Sequence, residues 1–135
     1  MFKKEKFNNL NTRYRTHAYT GLMGFFMSHC HKQLENIQMP KKMSMVLEIG
    51  AGDSPHFKYL KHDFDEYHII ETSDYALENK EENPKILKKK YDGKKIPYPN
   101  ETFDRIIISH CLEHIPFPEN FLLEMMSKLK KGGLL

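Results

Sequence analysis

Met45-Val46-Leu47-Glu48-Ile49-Gly50-Ala51-Gly52 decides the fold of this chain. An apolar run of five residues that stops at two closely spaced glycines reads as a buried parallel strand meeting a tight turn. Ser54-Pro55 follows, a cap with proline at the first helical position, so strand, turn and helix are predicted in that order. The alternation continues downstream. Tyr67-His68-Ile69-Ile70-Glu71 is a second strand, and Thr72 or Ser73 caps a helix through Ala76, Leu77 and Asn79 that Asn83-Pro84 breaks. A third strand runs from Lys85 to Lys90 around Ile86 and Leu87. The loop Ile96-Pro97-Tyr98-Pro99-Asn100 leads to a fourth, Phe103 to Ser109. After Pro116 and Pro118 comes a helix with Phe121, Leu122, Met125, Met126 and Leu129 on its buried side and Glu124 paired with Lys128 four residues on. Gly132-Gly133 is expected to close it. Strands alternating with helices predict an α/β domain with a doubly wound, mostly parallel sheet.

Upstream of the first strand the period is helical. Leu22, Phe25, Phe26, Cys30, Leu34 and Ile37 recur at three- and four-residue spacing, which predicts one apolar face, and Pro40 ends the segment. The expected organisation is a helical extension over 1–42 and an α/β domain over 43–135. Leu134-Leu135 reads as the start of a fifth strand, so the domain is expected to be incomplete at its C-terminus. A sheet cut there leaves the fourth strand's edge open, which predicts poor solubility, a homodimer through that edge or a missing C-terminal portion.

Composition narrows the function classes. The chain has 135 residues, 39% of them hydrophobic and 29% charged, which is material for one buried core and too apolar for a disordered chain. Lys and Arg number 21 against 18 Asp and Glu, and Arg13, Arg15 and Arg105 are the three arginines. That mild excess lacks the Arg-rich stripe of a nucleic-acid surface, so no nucleic-acid partner is expected. The longest apolar runs, such as Gly21 to Met27, fall far short of the roughly 20 residues a spanning helix needs, and no membrane partner is expected. Cys30 and Cys111 make no disulfide framework, which points to a reducing, cytoplasmic compartment.

The glycine turn sits at the carboxyl end of its strand, where doubly wound sheets bind ligands, and glycine lets a ligand approach backbone closely. A dinucleotide fingerprint wants a third glycine three residues after the second, and Pro55 stands there. Glu48 decides further: a carboxylate two residues before the turn repels a pyrophosphate and attracts an ammonium or sulfonium charge. Glu71 ends the second strand about twenty residues on, where an acid accepts hydrogen bonds from ribose hydroxyls. Asp92 ends the third and can accept from an exocyclic amine. Three acids at three strand ends describe a pocket for a nucleoside with a positively charged tail.

These stretches resemble the class I S-adenosylmethionine-dependent methyltransferases. Val46 to Gly52 is similar to that family's glycine-rich first motif, and Ile69-Ile70-Glu71-Thr72-Ser73 to its second strand with the ribose acid. Ile96 to Asp104 resembles the approach to the fourth strand, and Ser109 to Ile115 and Leu129 to Gly133 resemble the segments after it. Ser54 departs from the pattern, since many members have a third glycine there. The resemblance implies a Rossmann-like fold, S-adenosyl-L-methionine as cofactor and methyl transfer to a small-molecule acceptor. It also implies a site. Glu48 lies near the methionine end, Gly50, Ala51 and Gly52 admit the cofactor, Glu71 and Thr72 face the ribose, and Asp92 and Gly93 the adenine. Backbone at Ser109 and His110 faces the methionine moiety. The alternative is a cofactor-binding module or inactive fragment without catalysis.

His110 and His114 follow the fourth strand and are the candidates for a general base. His110-Cys111-Leu112-Glu113-His114 also spells the pattern of inverted zinc peptidases, which needs both histidines on one helical face. A strand immediately before His110 argues against that, and no third ligand is evident, so no metal is expected. His29-Cys30-His31 is a chance cluster, because three consecutive helical residues point in different directions. Arg13, Tyr14, Arg15, His17 and Tyr19 form an aromatic and basic patch, read as a solvated helix face. The Met-rich stretches, Met39 to Met45 and Met125-Met126, are read as core filling.

Overall fold

The computed structural model describes residues 21–52, 55–78 and 82–135. The patch at Arg13 to Tyr19, together with Ser54 and Asn79, lies outside the described residues. The chain divides into two compact units, Met1–Ile37 and Gln38–Leu135.

In the first unit the described residues form helix α1, Gly21–Leu34. Its expected apolar face is not the buried one. Leu22, Phe25, Phe26, Leu34 and Ile37 are exposed, while His31 and Glu35 are buried. Cys30 is exposed beside buried His31, and His29 bonds Gln33 one turn on (3.1 Å), so the three residues diverge as expected.

The second unit is built on a five-stranded parallel sheet in the order β3-β2-β1-β4-β5. The strands are β1 (Lys42–Ile49), β2 (Asp63–Glu71), β3 (Ile86–Lys90), β4 (Phe103–Ile108) and β5 (Leu129–Leu134). β1 lies at the centre, paired with β2 on one side and β4 on the other. That is why Val46, Leu47, Glu48 and Ile49 are all buried: both faces of this strand are covered. Leu47, Ile49, Ile70, Ile106 and Phe103 pack on one face with Phe121 and Met125 of helix α3 (Pro118–Lys128). Val46, Tyr67, Ile69, Ile86 and Ile107 pack on the other, with Phe57 and Leu60 against them. Each fully buried Leu, Ile or Phe contributes about 1.5–3 kcal/mol, so these faces hold the sheet flat against its cover.

The connections are shorter than expected. A single 3-10 turn, His56–Tyr59, follows the glycine turn in place of a full helix. Pro55 precedes it in extended conformation (φ −63°, ψ 140°), not at a first helical position. Helix α2 is one turn and a half, Asp74–Glu78. α3 starts at Pro118 with proline in its first turn, as expected, but ends at Lys128. Met125 is core, whereas Met126 is exposed and Leu129 belongs to the next strand. Glu124 does not pair with Lys128. It accepts the Ile96 N–H (2.8 Å), and Lys128 donates to Asn100 Oδ1 (2.8 Å).

The largest correction is at the C-terminus. Gly132-Gly133 does not cap α3. The fifth strand is already formed from Leu129 to Leu134 and pairs with β4, so β4 is covered on both sides and the open edges are those of β3 and β5. Gly132 has φ +80°, and the pairing slips between Phe103↔Leu129 and Arg105↔Leu134, which marks a bulge. A glycine pair inside a strand marks such a bulge as readily as a helix end. Asp104 fastens this side of the sheet: its Oδ2 accepts the Met45 N–H of β1 (2.8 Å) and its Oδ1 the Lys130 ammonium of β5 (2.9 Å). Burial pushes the Asp104 carboxyl up, but these bonds outweigh it and hold its pKa below the usual carboxylate value.

Candidate active site

The carboxyl ends of β1, β2, β3 and β4 open on one edge, and the predicted site residues gather there. The β1–β2 ladder runs on into the turn, where the Gly50 N–H donates to Ile70 O (3.0 Å). Gly50 and Gly52 have φ of +72° and +54°, the left-handed region where a side chain costs about 1–2 kcal/mol. The Gly52 N–H then donates to Glu71 Oε1 (2.5 Å), a second bond between the turn and the end of β2. Thr72 follows, exposed, and its methyl lies 3.1 Å from where a Cβ on Gly93 would sit. The Tyr91 N–H donates to Glu71 O (2.9 Å), which brings Asp92 and Gly93 alongside.

The three acids differ in state. Glu48 is 2% exposed, with both oxygens engaged: Oε1 accepts the His56 N–H and Oε2 the Tyr67 hydroxyl, each at 2.8 Å. Burial pushes its pKa up to about 7, with the charge of Glu71 adding to the rise and the two hydrogen bonds and Lys58 opposing it. Glu71 is buried against the turn. Asp92 is exposed, and its Oδ1 accepts the N–H groups of Lys94 (2.9 Å) and Lys95 (3.1 Å), which hold its pKa low. Hollows open on both sides of this loop, about 420 Å³ against Tyr91, Ile96 and Tyr98 and about 380 Å³ against Ile115, Phe117 and Phe121.

After β4 the chain turns sharply. Ser109 is half-buried, and His110 is exposed with φ +55°, a left-handed residue that is not glycine. His114 is exposed at the end of a 3-10 turn, Leu112–His114, so the two histidines do not share a helical face and the peptidase pattern is not formed. Among the described residues no group of three His, Cys, Asp or Glu side chains is placed to hold a metal ion. Nor is any helix among them long and apolar enough to cross a membrane.

Two site residues escape a sequence reading. Cys111 packs directly on the glycine turn, its Sγ standing 2.5 Å from where a Gly50 Cβ would be. The missing side chain at Gly50 therefore makes room for Cys111, not for a ligand alone. Burial, Glu71 and Glu113 push the Cys111 thiol up, and burial followed by Cys111, Glu71 and Asp92 pushes Tyr91 up to about 12. The second is Tyr67, which holds Glu48. Its signal is a phenol on a strand that is buried from Tyr67 onward, where a polar atom must find a partner. Glu71 adds to the rise that burial causes at Glu48, Tyr91 and Cys111, and with Asp92 it makes this edge negative. A positively charged ligand is favoured there and a phosphate is not.

A family model described as "Methyltransferase domain" matches residues 47–135, from the glycine motif to the last strand. The chain belongs to the class I S-adenosylmethionine-dependent methyltransferase family. Solved structures agree on the fold. A protein from Methanococcus maripaludis, proposed to be an S-adenosyl-L-methionine-dependent methyltransferase, superposes with TM-score 0.72 at 17% identity over 90% of this chain and 58% of its own. A methyltransferase from Haloferax volcanii, proposed as such and solved in complex with the Trm112 methyltransferase activator, gives 0.70 at 12% over 93% and 54%. A SAM-dependent methyltransferase from Aquifex aeolicus gives 0.54 at 26% over 64% and 51%. The chain thus spans about half the length of these structures. No curated protein matches the sequence.

Proposed function

We propose that this chain forms the cofactor-binding part of a methyltransferase that uses S-adenosyl-L-methionine to methylate a small-molecule acceptor. The observation that carries this reading is the negative strand-end edge in which Glu71 closes the glycine turn through the Gly52 N–H. Its residues fit a nucleoside with a cationic tail. Glu71 and Thr72 would hold the ribose, Asp92 and Gly93 the adenine, and Gly50, Ala51 and Gly52 with Ser109 and His110 backbone would line the methionine end. Glu48 would stabilise the positive charge from beneath the turn. When bound, the cofactor supplies an activated methyl group, transferred as the acceptor's electron pair forms the new bond to carbon and the sulfur keeps the pair of the broken one.

The chain's part in such a reaction is mainly to fix and orient, which can lower a barrier by about 7–11 kcal/mol. His110 or His114, both exposed after β4, would take the acceptor's proton where it carries one. Calorimetry with S-adenosylmethionine and S-adenosylhomocysteine tests binding, and methyl transfer across a metabolite panel tests turnover. Binding with turnover is expected; binding without turnover supports a non-catalytic module, and a folded chain that binds neither nucleoside refutes both. A homodimer through the exposed edge of the sheet at β3 is proposed with it, and sedimentation velocity tests that.

A further inference from the structure

We propose that Tyr67 is a positioning residue for the cofactor site, acting through Glu48 to fix the segment that follows the glycine turn. The inference rests on the cofactor reading above, and its basis is a chain of buried contacts. The Tyr67 ring is fully buried on β2, between Phe57 (centroids 5.8 Å apart) and Phe64 (5.3 Å), so the phenol has little freedom. Its hydroxyl donates to Glu48 Oε2 on the neighbouring strand, and the other carboxylate oxygen accepts the His56 N–H. His56 opens the 3-10 turn directly beyond the glycine turn. The carboxylate is therefore a bridge from β2 to the far side of the cofactor loop, and Tyr67 sets its angle.

The same bond sets its charge. Glu48 is faced by Glu71 from the end of β2, which opposes ionisation, and by Lys58 of the 3-10 turn, which favours it. Tyr67 and the His56 N–H favour it too, and the His56 ring is buried beside them. The hydrogen bonds to Glu48 counter a large burial penalty. A phenylalanine at 67 keeps the ring packing and deletes one donor, so Glu48 takes up a proton at higher pH and its pull on a cationic ligand fades.

The test is the pH dependence of S-adenosylhomocysteine and S-adenosylmethionine binding by wild type, Tyr67→Phe, Glu48→Gln and the double variant, from pH 5.5 to 9. For Tyr67→Phe we expect the binding midpoint to move up by about one pH unit, with affinity about fivefold weaker near pH 7, about tenfold weaker at the acid end and close to wild type at the alkaline end. Glu48→Gln should bind weakly without that dependence, and adding Tyr67→Phe to it should change nothing further. A parallel loss at every pH, or a Tyr67→Phe profile that superposes on wild type, overturns the inference. Thermal melts of the ligand-free proteins over the same range give a second readout. The acid-side change in melting temperature should shift upward in pH in Tyr67→Phe, and its absence overturns the inference even where binding fails. Wild type that binds neither nucleoside refutes the cofactor reading instead.

Discussion

Gly50→Ala separates the two reasons for a glycine at that position. The first is conformational: φ is +72°, and an L-residue held there costs about 1–2 kcal/mol. The second is space. The added methyl would stand 2.5 Å from Cys111 Sγ and 2.9 Å from Cys111 Cβ, closer than real contacts come, so the segment after β4 must shift. Overpacking of this kind costs about 1–3 kcal/mol, and the two effects together predict a loss of about 2–5 kcal/mol. Cys111→Gly removes both clashing atoms but leaves the dihedral strain. In a double-mutant cycle by urea unfolding, Gly50→Ala should therefore recover about 1–3 kcal/mol in the Cys111→Gly background. Cys111→Ala, which keeps the Cβ at 2.9 Å, should recover only part of that. A Gly50→Ala cost below about 1 kcal/mol, or strict additivity with Cys111→Gly, would refute the packing argument.

Other outcomes follow from the same geometry. Glu71→Ala removes the partner of the Gly52 N–H and the expected ribose acceptor, and should weaken S-adenosylhomocysteine binding by about 1–3 kcal/mol in calorimetry; unchanged affinity would mean the ribose lies elsewhere. Glu48 titrates near 7 in the fold and near 4.5 in the unfolded chain, so the folded state binds more protons between these values. Stability should fall by up to about 3 kcal/mol as pH rises from 4.5 to 7, and Glu48→Gln should flatten that slope in denaturation series at several pH values. Asp104 behaves in the opposite sense, since its pKa is lowered on folding: its contribution is full above its unfolded pKa of about 3.8 and is lost as pH falls through the folded value. Asp104→Ala, which frees the Met45 N–H and Lys130 together, should cost about 1–3 kcal/mol at pH 7, and a smaller loss would show that water replaces both partners.

The sheet was legible in the sequence because its central strands, β1 and β4, are apolar on both faces. Val46-Leu47 and Ile106-Ile107 could not be stable anywhere but the middle of a covered sheet. The acids at the strand ends were legible for a related reason: Glu48 and Glu71 interrupt apolar runs where only a site or a partner makes a carboxylate tolerable. Position along the chain did not give their partners. Tyr67 meets Glu48 only because β1 and β2 lie side by side, and Cys111 meets Gly50 only because β4 is inserted next to β1. Helical periodicity misled twice. Leu22, Phe25 and Phe26 form a stripe that is exposed, with His31 and Glu35 on the buried side, and Leu129 continues the spacing of α3 although the chain has already entered β5. The first error came from treating apolar spacing as proof of burial, the second from reading Gly132-Gly133 as a helix end.

The place of β1 in the strand order also bears on how the chain reaches this state. Val46 finds Tyr67 about twenty residues on, but its second neighbour, Arg105, lies about sixty residues away. Closing the longer loop costs about 1 kcal/mol more chain entropy than closing the shorter one. During vectorial synthesis, β1, β2 and β3 are complete by Lys90, while the other edge of β1 waits for β4 to emerge. For that interval a strand that is buried on both faces in the finished sheet offers unpaired backbone groups to other chains, the condition under which nascent sheets aggregate. The Met45 N–H that Asp104 later accepts is one of them, so the strand at the centre of the finished sheet is an edge strand until β4 arrives.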